Sequence, residues 1–427
     1  MALSLRAREL YILYIVLFFT MAGFGIIFPV LPLVVLELDA SSLHMGLLVT
    51  LYALCQFLFA PFWGALSDRY GRKVVMIIGL FGFSISFFLM GLATNIWALI
   101  GARVLGGLLS AATLPTAQAY AADSSSLEER GPAMARLGAA MGAGFMIGPA
   151  LGGALSVFGL RAAFFVTAAL SLLTAVLALI AMTEPPRRTV QGGRRLSSIA
   201  ALRYASGSSH AILFWLAFII TFCQSELFSM MGLYLAERFG GGGVLAGAAF
   251  TVNGLAAPLA QGLIVGWSMR QYGEERTILA GLVVGAVSFA ALGLAPHVGL
   301  ALVAVIGTSA ALSLVRPTIA SSVSRRATFG QGMTMGIQAA FDSLGRVVGP
   351  LVAGAIYTWR PEVPFFVASV IYLAAFLIAR RQLPKLATVP SEPAVAPEPA
   401  ESGQAPGQGK RAGATASGAC VPARSHR

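Results

Sequence analysis

The chain has 427 residues, of which 57% are hydrophobic and only 11% are charged. Soluble domains carry about 25% charged residues, so the composition excludes a protein that folds mainly in water. A net charge of +12 could attract nucleic acid, but the basic residues are distributed between apolar segments, and we expect no nucleic-acid partner. The three cysteines and four histidines show no disulfide framework or metal-ligand spacing, so we predict neither a metal nor a cofactor.

Twelve apolar segments follow one another along the chain, each close to the about 20 residues that a membrane-spanning helix needs. No small-residue cleavage site follows the first segment, which therefore predicts an uncleaved helix. The pattern predicts an all-α polytopic membrane protein of 12 transmembrane helices. The predicted helices 1 to 12 cover 10–36, 44–66, 74–94, 98–122, 131–158, 161–182, 209–238, 244–268, 277–295, 298–324, 332–358 and 361–381.

Basic residues are concentrated in alternate connections between these helices. The connections on one side contain most of them, whereas those on the other side contribute only Arg161, Arg238 and Arg360. By the positive-inside rule, this asymmetry predicts that both termini lie in the cytoplasm. The preference for Ala, Gly and Arg over Lys suggests a bacterial chain, and hence the inner membrane as its location.

Two stretches lack the apolar character of a membrane span. Residues 183–208 contain a proline pair and five arginines and predict a cytoplasmic linker between the N-terminal six-helix bundle, 1–182, and the C-terminal six-helix bundle, 209–383. Residues 384–427 are rich in Pro, Ala, Gly, Ser and Glu, which predicts a disordered cytoplasmic tail.

The two predicted bundles repeat each other at a spacing of 201 or 202 residues. Each match lies at the corresponding position of the corresponding helix or connection, which apolar composition alone does not explain. The repeat predicts two parallel six-helix units. The matched pairs are Tyr70-Gly71 with Tyr272-Gly273, Pro115-Thr116 with Pro317-Thr318, Gly148-Pro149 with Gly349-Pro350, and Phe164-Phe165 with Phe365-Phe366.

Three motifs accompany the predicted helices of the first half. The loop after predicted helix 2 contains Gly64, Asp68, Arg69, Gly71 and Arg72. Predicted helix 4 contains Arg103 followed by Gly106-Gly107, and predicted helix 5 contains Gly144, Gly148, Pro149, Gly152 and Gly153. These motifs resemble those of the major facilitator superfamily, in particular its twelve-helix drug:proton antiporters, and the first half resembles tetracycline efflux pumps.

The resemblance implies a secondary transporter, not an enzyme, that exports small lipophilic molecules such as drugs by proton antiport and alternating access. Its implied partners are a small-molecule substrate, protons and the lipid bilayer, and we expect a monomer. The proton gradient takes the place of a cofactor. A dedicated metabolite or sugar exporter and a passive facilitator have the same fold, and both remain open. Predicted helices 1, 3 and 9 lack the buried aspartates of tetracycline pumps, so tetracycline itself is in doubt.

The motif after helix 2, together with Asp123, is interpreted as a conformational latch. Gly64 and Gly71 permit a tight backbone, and Asp68 can lie against the positive N-terminal end of another helix. The resemblance implies that this helix is the eleventh, so that the contact closes the cytoplasmic side. The alternative is that these residues are ordinary topology charges. The helix 5 glycines allow close helix contact and Pro149 allows bending, although plain small-residue packing would need the same residues.

Charges inside helices point to a transport path, because each costs about 2.5–3.5 kcal/mol in lipid unless it is paired or hydrated. Asp342 and Arg346 are four residues apart, which fits a self-neutralising pair as well as a substrate or proton site. Glu226 has no local partner and could bind and release a proton near neutral pH, the alternative being a pair with Arg103 or Arg316. The predicted proton-coupling and cavity residues are Glu226, Asp342, Arg103, Arg316 and Arg346.

Overall fold

A computed structural model describes residues 2–126, 128–185, 211–325 and 331–387. Within these ranges the regular structure is entirely helical. The predicted linker beyond residue 185 and the predicted tail beyond residue 387 lie outside the described residues, so both remain predictions.

Eleven stretches of the described chain are long and apolar enough to cross a membrane, and one of them, Gly242–Gly293, has 52 residues. As one straight helix it would be about 78 Å long, more than twice the about 30 Å of a bilayer core. Gly273 has a positive φ of 81°, and the hydroxyls of Ser268 and Thr277 lie 2.8 Å apart. Side chains nine positions apart cannot touch in a straight helix, so the chain folds back at Gly273 and the stretch is two helices.

The predicted fold of twelve helices is therefore confirmed. The fourth helix has a short break between Ile96–Ser110 and Thr113–Ser124, and the eighth contains a π-helical turn at Gln261–Val265. In chain order the helices are α1 (Ala2–Glu37), α2 (Ser42–Tyr70), α3 (Arg72–Leu92), α4 (Ile96–Ser124), α5 (Arg130–Phe158), α6 (Leu160–Ala181), α7 (Ala211–Phe239), α8 (242–272), α9 (274–293), α10 (Val298–Arg325), α11 (Gln331–Tyr357) and α12 (Val363–Ala387).

The helix ends form two faces. At the face where α1 begins, here called the N-terminal face, the Thr183 hydroxyl donates to the Glu9 carboxylate. At the face where α1 ends, here called the opposite face, Arg161 pairs with Glu37 at 3.4 Å. Because successive helices alternate in direction, the described basic residues Arg72 and Arg270 lie at the N-terminal face, whereas Arg161 and Arg360 lie at the opposite face.

The internal repeat is visible in the packing of equivalent helices. A β-carbon added to Gly148 of α5 would overlap the carbonyl oxygen of Ala22 in α1. A β-carbon added to Gly349 of α11, 201 positions later, would lie 2.5 Å from the carbonyl oxygen of Phe222 in α7. The α1–α5 contact of the first half thus recurs as the α7–α11 contact of the second.

The two halves meet through a second pair of equivalent contacts, near the opposite face. A β-carbon on Gly46 of α2 would lie 3.3 Å from the Cα atom of Gly354 in α11. A β-carbon on Gly247 of α8 would lie 2.8 Å from the Cα atom of Gly153 in α5. The Ser42 hydroxyl adds a hydrogen bond of 3.0 Å to the Gly354 carbonyl. Small residues therefore hold the halves close together at this face.

Toward the N-terminal face the same helix pairs diverge. Gly64 lies on the side of α2 that carries Gly46, five turns further along. Among the described residues, no atom comes within 4 Å of a β-carbon added at Gly64, and the same is true of Gly142 on the side of α5 that carries Gly153. The space between the halves is consequently open toward the N-terminal face and closed at the opposite face.

Candidate functional site

The glycine motif of α5 uses two sides of the helix for two different contacts. Gly144, Gly148 and Gly152 recur every four residues and face the carbonyl oxygens of α1 so closely that a β-carbon at any of them would overlap one. Gly153 lies on another side and faces Gly247 of the second half. The first contact consolidates one half, and the second joins the two halves.

Pro149 takes part in both contacts of α5. Its ring lies against Gly25 of α1, where an added β-carbon would approach its Cδ atom to 2.9 Å, and its carbonyl oxygen would lie 2.8 Å from a β-carbon on Gly247. A proline within a helix also lacks the backbone N–H that would bond to the preceding turn. The predicted motif thus coincides with the hinge-like region where α1, α5 and α8 meet.

Arg72 is the centre of a polar cluster at the N-terminal face. Its guanidinium pairs with Asp68 at 2.5 Å and with Asp123 at 3.1 Å, and it donates to the Ser67 hydroxyl at 2.6 Å. These contacts bring the predicted latch residues of α2 and α4 together within the first half. Closure of Asp68 against α11 stays a prediction.

One part of the latch prediction was wrong. Asp68 and Arg69 were expected in a loop beyond predicted helix 2, but α2 continues to Tyr70 and both are helical. The chain turns only at Gly71, whose φ of 114° strains any residue with a β-carbon. The end of α2 is polar and therefore resembles a loop in sequence. In the structure Ser67 and Asp68 bind Arg72, so these polar residues need no apolar neighbours.

Sequence reasoning missed Glu184 as a member of this cluster. Its carboxylate accepts a hydrogen bond from the backbone N–H of Arg72 and a second one, of 3.0 Å, from that of Lys73. A carboxylate at this position caps the unpaired N–H groups and the positive end of α3. The one available signal was an acid that directly follows α6 on the basic side of the protein.

Arg103 is buried in the first half, with 2% of its surface exposed. Its guanidinium stacks on the Tyr52 ring at 4.0 Å, a cation–π contact that stabilises a cation away from water. Within the described residues, its Nε atom has no hydrogen-bond partner. The Tyr52 hydroxyl lies 2.9 Å from that of Ser110 and accepts from the Gln56 amide at 3.1 Å. This polar group around Arg103 was not expected from the sequence.

Glu226 is completely buried in α7, with 0% exposure. Among the described residues, neither of its carboxylate oxygens has a hydrogen-bond partner. The alternative of a pair with Arg103 or Arg316 is not seen, since Arg316 pairs with Asp342 instead and Arg103 stacks on Tyr52. Burying a polar group without a hydrogen-bond partner costs free energy, so the carboxyl of Glu226 is in an unfavourable setting in this conformation.

Asp342 has different surroundings. One of its oxygens accepts a hydrogen bond of 2.9 Å from Thr221 of α7, and the other lies 3.6 Å from the Arg316 guanidinium of α10. Of the two alternatives for Asp342, the self-neutralising pair with Arg346 is not formed within 4 Å, and Asp342 pairs with a residue of another helix instead. The reason is that α10 brings Arg316 to the carboxylate from a neighbouring helix, which sequence spacing along α11 could not reveal.

An aromatic cluster spans the two halves close to these charges. Phe28 of α1 packs at ring distances of 5.6 Å from Phe145, 5.5 Å from Phe228 and 5.5 Å from Phe250. Phe145 and Phe228 also stack on each other at 5.9 Å. The cluster joins α1 and α5 of the first half to α7 and α8 of the second. Within the described residues, by contrast, no three His, Cys, Asp or Glu side chains are grouped so as to hold a metal ion.

Comparison with known proteins agrees with this architecture. The family model of the Major Facilitator Superfamily matches residues 13–330 and 213–417. The chain belongs to the major facilitator superfamily. Multidrug resistance protein 2 of Bacillus subtilis (strain 168) is 31% identical over 365 residues, which cover 84% of this chain and 90% of that protein. The quinolone resistance protein NorA of Staphylococcus aureus (strain MRSA252) is 26% identical over 373 residues, which cover 87% of this chain and 95% of NorA.

Solved structures of superfamily transporters share the fold. A bacterial homologue of the human lysosomal transporter Spinster, in an inward-facing and unoccupied conformation, has a TM-score of 0.73 at 17% identity and covers 89% of this chain and 98% of its own. At this identity the likeness shows the fold alone. Superfamily membership confirms the resemblance inferred from the helix 2 and helix 5 motifs.

Proposed function

We propose that this superfamily member exports small lipophilic molecules, including drugs, across the inner membrane in exchange for protons. The observation that carries the proposal is Glu226, a fully buried carboxyl with no hydrogen-bond partner among the described residues. It lies two residues from Phe228, a member of the aromatic cluster between the halves. Relatives named for multidrug and quinolone resistance, at 31% and 26% identity, support drugs as the substrates.

The proposed mechanism is alternating access. The described conformation is open toward the N-terminal face, which the distribution of basic residues assigns to the cytoplasm. A substrate enters from this side or from the inner leaflet and packs against the aromatic cluster. Rocking of the halves about the glycine contacts Gly46–Gly354 and Gly153–Gly247 then opens the opposite face. Asp68 and Arg72 would close the cytoplasmic side in that state.

Of the two candidate acids, Glu226 is better suited than Asp342 to carry the proton. Asp342 is already ion-paired with Arg316 and hydrogen-bonded to Thr221. Glu226 has neither kind of contact among the described residues. We therefore propose that Glu226 binds the transported proton in this conformation and releases it when the cavity rearranges around it.

The proposal is tested by efflux of a panel of lipophilic dyes and antibiotics from cells that express the wild type or Glu226→Gln. The control variant is Glu128→Gln, which changes an exposed acid in the α4–α5 connection. We expect wild-type efflux to collapse with a protonophore, Glu226→Gln to be inactive, and Glu128→Gln to match the wild type at equal expression.

Other outcomes would favour other functions. Export of no member of the panel would contradict the drug-export proposal and favour a dedicated metabolite or sugar exporter. Efflux that persists in the presence of the protonophore and in Glu226→Gln would indicate a passive facilitator.

A further inference from the structure

Two arginines and one aspartate form a charged group on the second half, here called the α10–α11 cluster, made up of Arg316, Asp342 and Arg346. Arg316 pairs with Asp342 at 3.6 Å. Arg346 lies one helical turn after Asp342 on the same side of α11, but it forms no ion pair within 4 Å with any residue that the structure describes. The cluster thus has two guanidinium groups and one carboxylate, and carries one excess positive charge.

The cluster faces the space between the halves. On α11, Gly345 packs against α7, where an added β-carbon would lie 2.8 Å from the Phe218 carbonyl. The Val347 carbonyl accepts a hydrogen bond of 2.8 Å from Thr50 of α2, in the other half. Arg346 is placed between these two contacts, so its side chain is directed between α7 and α2 rather than toward lipid.

The arginines are accessible in this conformation. Arg316 exposes 48% of its side chain, whereas its partner Asp342 exposes 9%. Arg346 is also exposed. Both lie well within the membrane spans Val298–Arg325 and Thr334–Tyr357, where a charge is tolerated only beside a counter-ion or in a hydrated cavity. The cavity therefore presents two guanidinium groups to whatever enters it.

Asp342 pairs with only one of the two arginines in the part of the chain that the structure describes. One of its oxygens is bound to Thr221 and the other to Arg316. A planar guanidinium binds a carboxylate, sulfonate or phosphate through parallel N–H donors, and such charge-assisted bonds are the strong ones. The geometry of the cluster thus leaves donors on Arg346 and Arg316 that suit one additional anion.

We propose that Arg316 and Arg346 bind an anionic group of the exported molecule, so that the preferred substrates are amphipathic anions or zwitterions rather than lipophilic monocations. This inference rests on the proposed function and narrows its substrate class. Asp342 positions Arg316 and limits the net charge of the cavity wall to a single excess cation.

The test compares two dyes that differ only in a carboxylate, rhodamine B and its ethyl ester, which carries the same ring system without the acid. Binding of each to the purified full-length protein is measured by fluorescence polarisation. We expect the wild type to bind the acid about tenfold more tightly than the ester, the effect of one charge-assisted contact. Arg316→Gln and Arg346→Gln should each lose most of this preference. Arg360→Gln, on the opposite face, is the matched control.

Equal binding of acid and ester by the wild type would overturn the inference, as would a ratio that neither arginine variant changes. If a glutamine variant binds neither dye, the lysine variant at the same position decides, because it retains the charge but not the planar pair of donors: recovery of part of the acid preference supports the anion site, and equal binding of both dyes overturns it. Dye efflux from cells is measured in parallel. Efflux of both dyes without discrimination would support drug export and overturn the anion site. Selective binding of the acid without efflux would support the anion site and contradict drug export.

Discussion

Arg72 contacts residues of several elements at the N-terminal face. Its guanidinium contacts Asp68, Asp123 and Ser67, and its backbone N–H donates to Glu184. The Arg72 side chain thereby joins the ends of α2 and α4, and its backbone N–H binds the segment that follows α6. A residue in this position determines the local geometry of the N-terminal face in the conformation described.

We expect Arg72→Ala to destabilise the protein by about 1–3 kcal/mol, because it removes the donor that two carboxylates and a hydroxyl share. Arg69→Ala is the matched control, since the contact described for Arg69 is with the Tyr70 ring at 5.4 Å. Thermal unfolding of both variants in detergent measures the difference. Equal midpoints for the two variants would show that the cluster contributes little to stability.

The acids of the second half show what sequence can and cannot reveal at this scale. Glu226 was predictable, because an acid in an apolar helix without a nearby base stands out. The Arg316–Asp342 pair was not, since it depends on how close α10 comes to α11. The aromatic cluster around Phe28 was equally hidden, because its members come from four helices and resemble ordinary apolar residues in each.

At the scale of helices, the order and number of elements could be predicted almost completely from apolar length and the internal repeat. The sequence also predicted α8 and α9 as separate helices, although helical structure runs almost unbroken through Gly273. Contacts between helices were predicted only where small residues recur, as in α5. Even there, the sequence did not distinguish the glycines that face α1 from Gly153, which faces α8, because that requires the position of both neighbours.

This distinction predicts different consequences for two glycine substitutions in α5. Gly148→Leu would force α1 and α5 apart within the first half, so we expect loss of folded protein. Gly153→Leu would disturb only the contact with Gly247 between the halves, so we expect a folded protein with impaired export. Size-exclusion chromatography and dye efflux measure the two effects. Equal yields of folded protein for both variants, together with equal efflux, would contradict this division of roles.

For the whole molecule, the two glycine contacts between the halves and the open space at the N-terminal face describe one end state of a transport cycle. The contacts Gly46–Gly354 and Gly153–Gly247 are related by the internal repeat, and in the proposed mechanism the halves rotate about them. The orientation of this state in the membrane rests on the distribution of basic residues.

Orientation is testable with a membrane-impermeant maleimide on variants in which Cys55, Cys223 and Cys420 are replaced by serine. We expect Gly64→Cys, in the open space of the N-terminal face, to react in inverted vesicles and not in intact cells. Arg360→Cys on the opposite face should show the reverse pattern. Labelling of Gly64→Cys in intact cells, with Arg360→Cys protected there, would place the N-terminal face outside the cell.

The most direct test of proton-driven export is transport by the purified protein in liposomes with an acidic interior and a neutral exterior. In this arrangement protons that leave the liposome drive a substrate dye inward through the proposed exchange. The account predicts that wild-type protein accumulates the dye above its external concentration, that a protonophore abolishes the accumulation, and that Glu226→Gln does not support it. Dye that only equilibrates, at the same rate in the wild type and in Glu226→Gln, would contradict proton antiport.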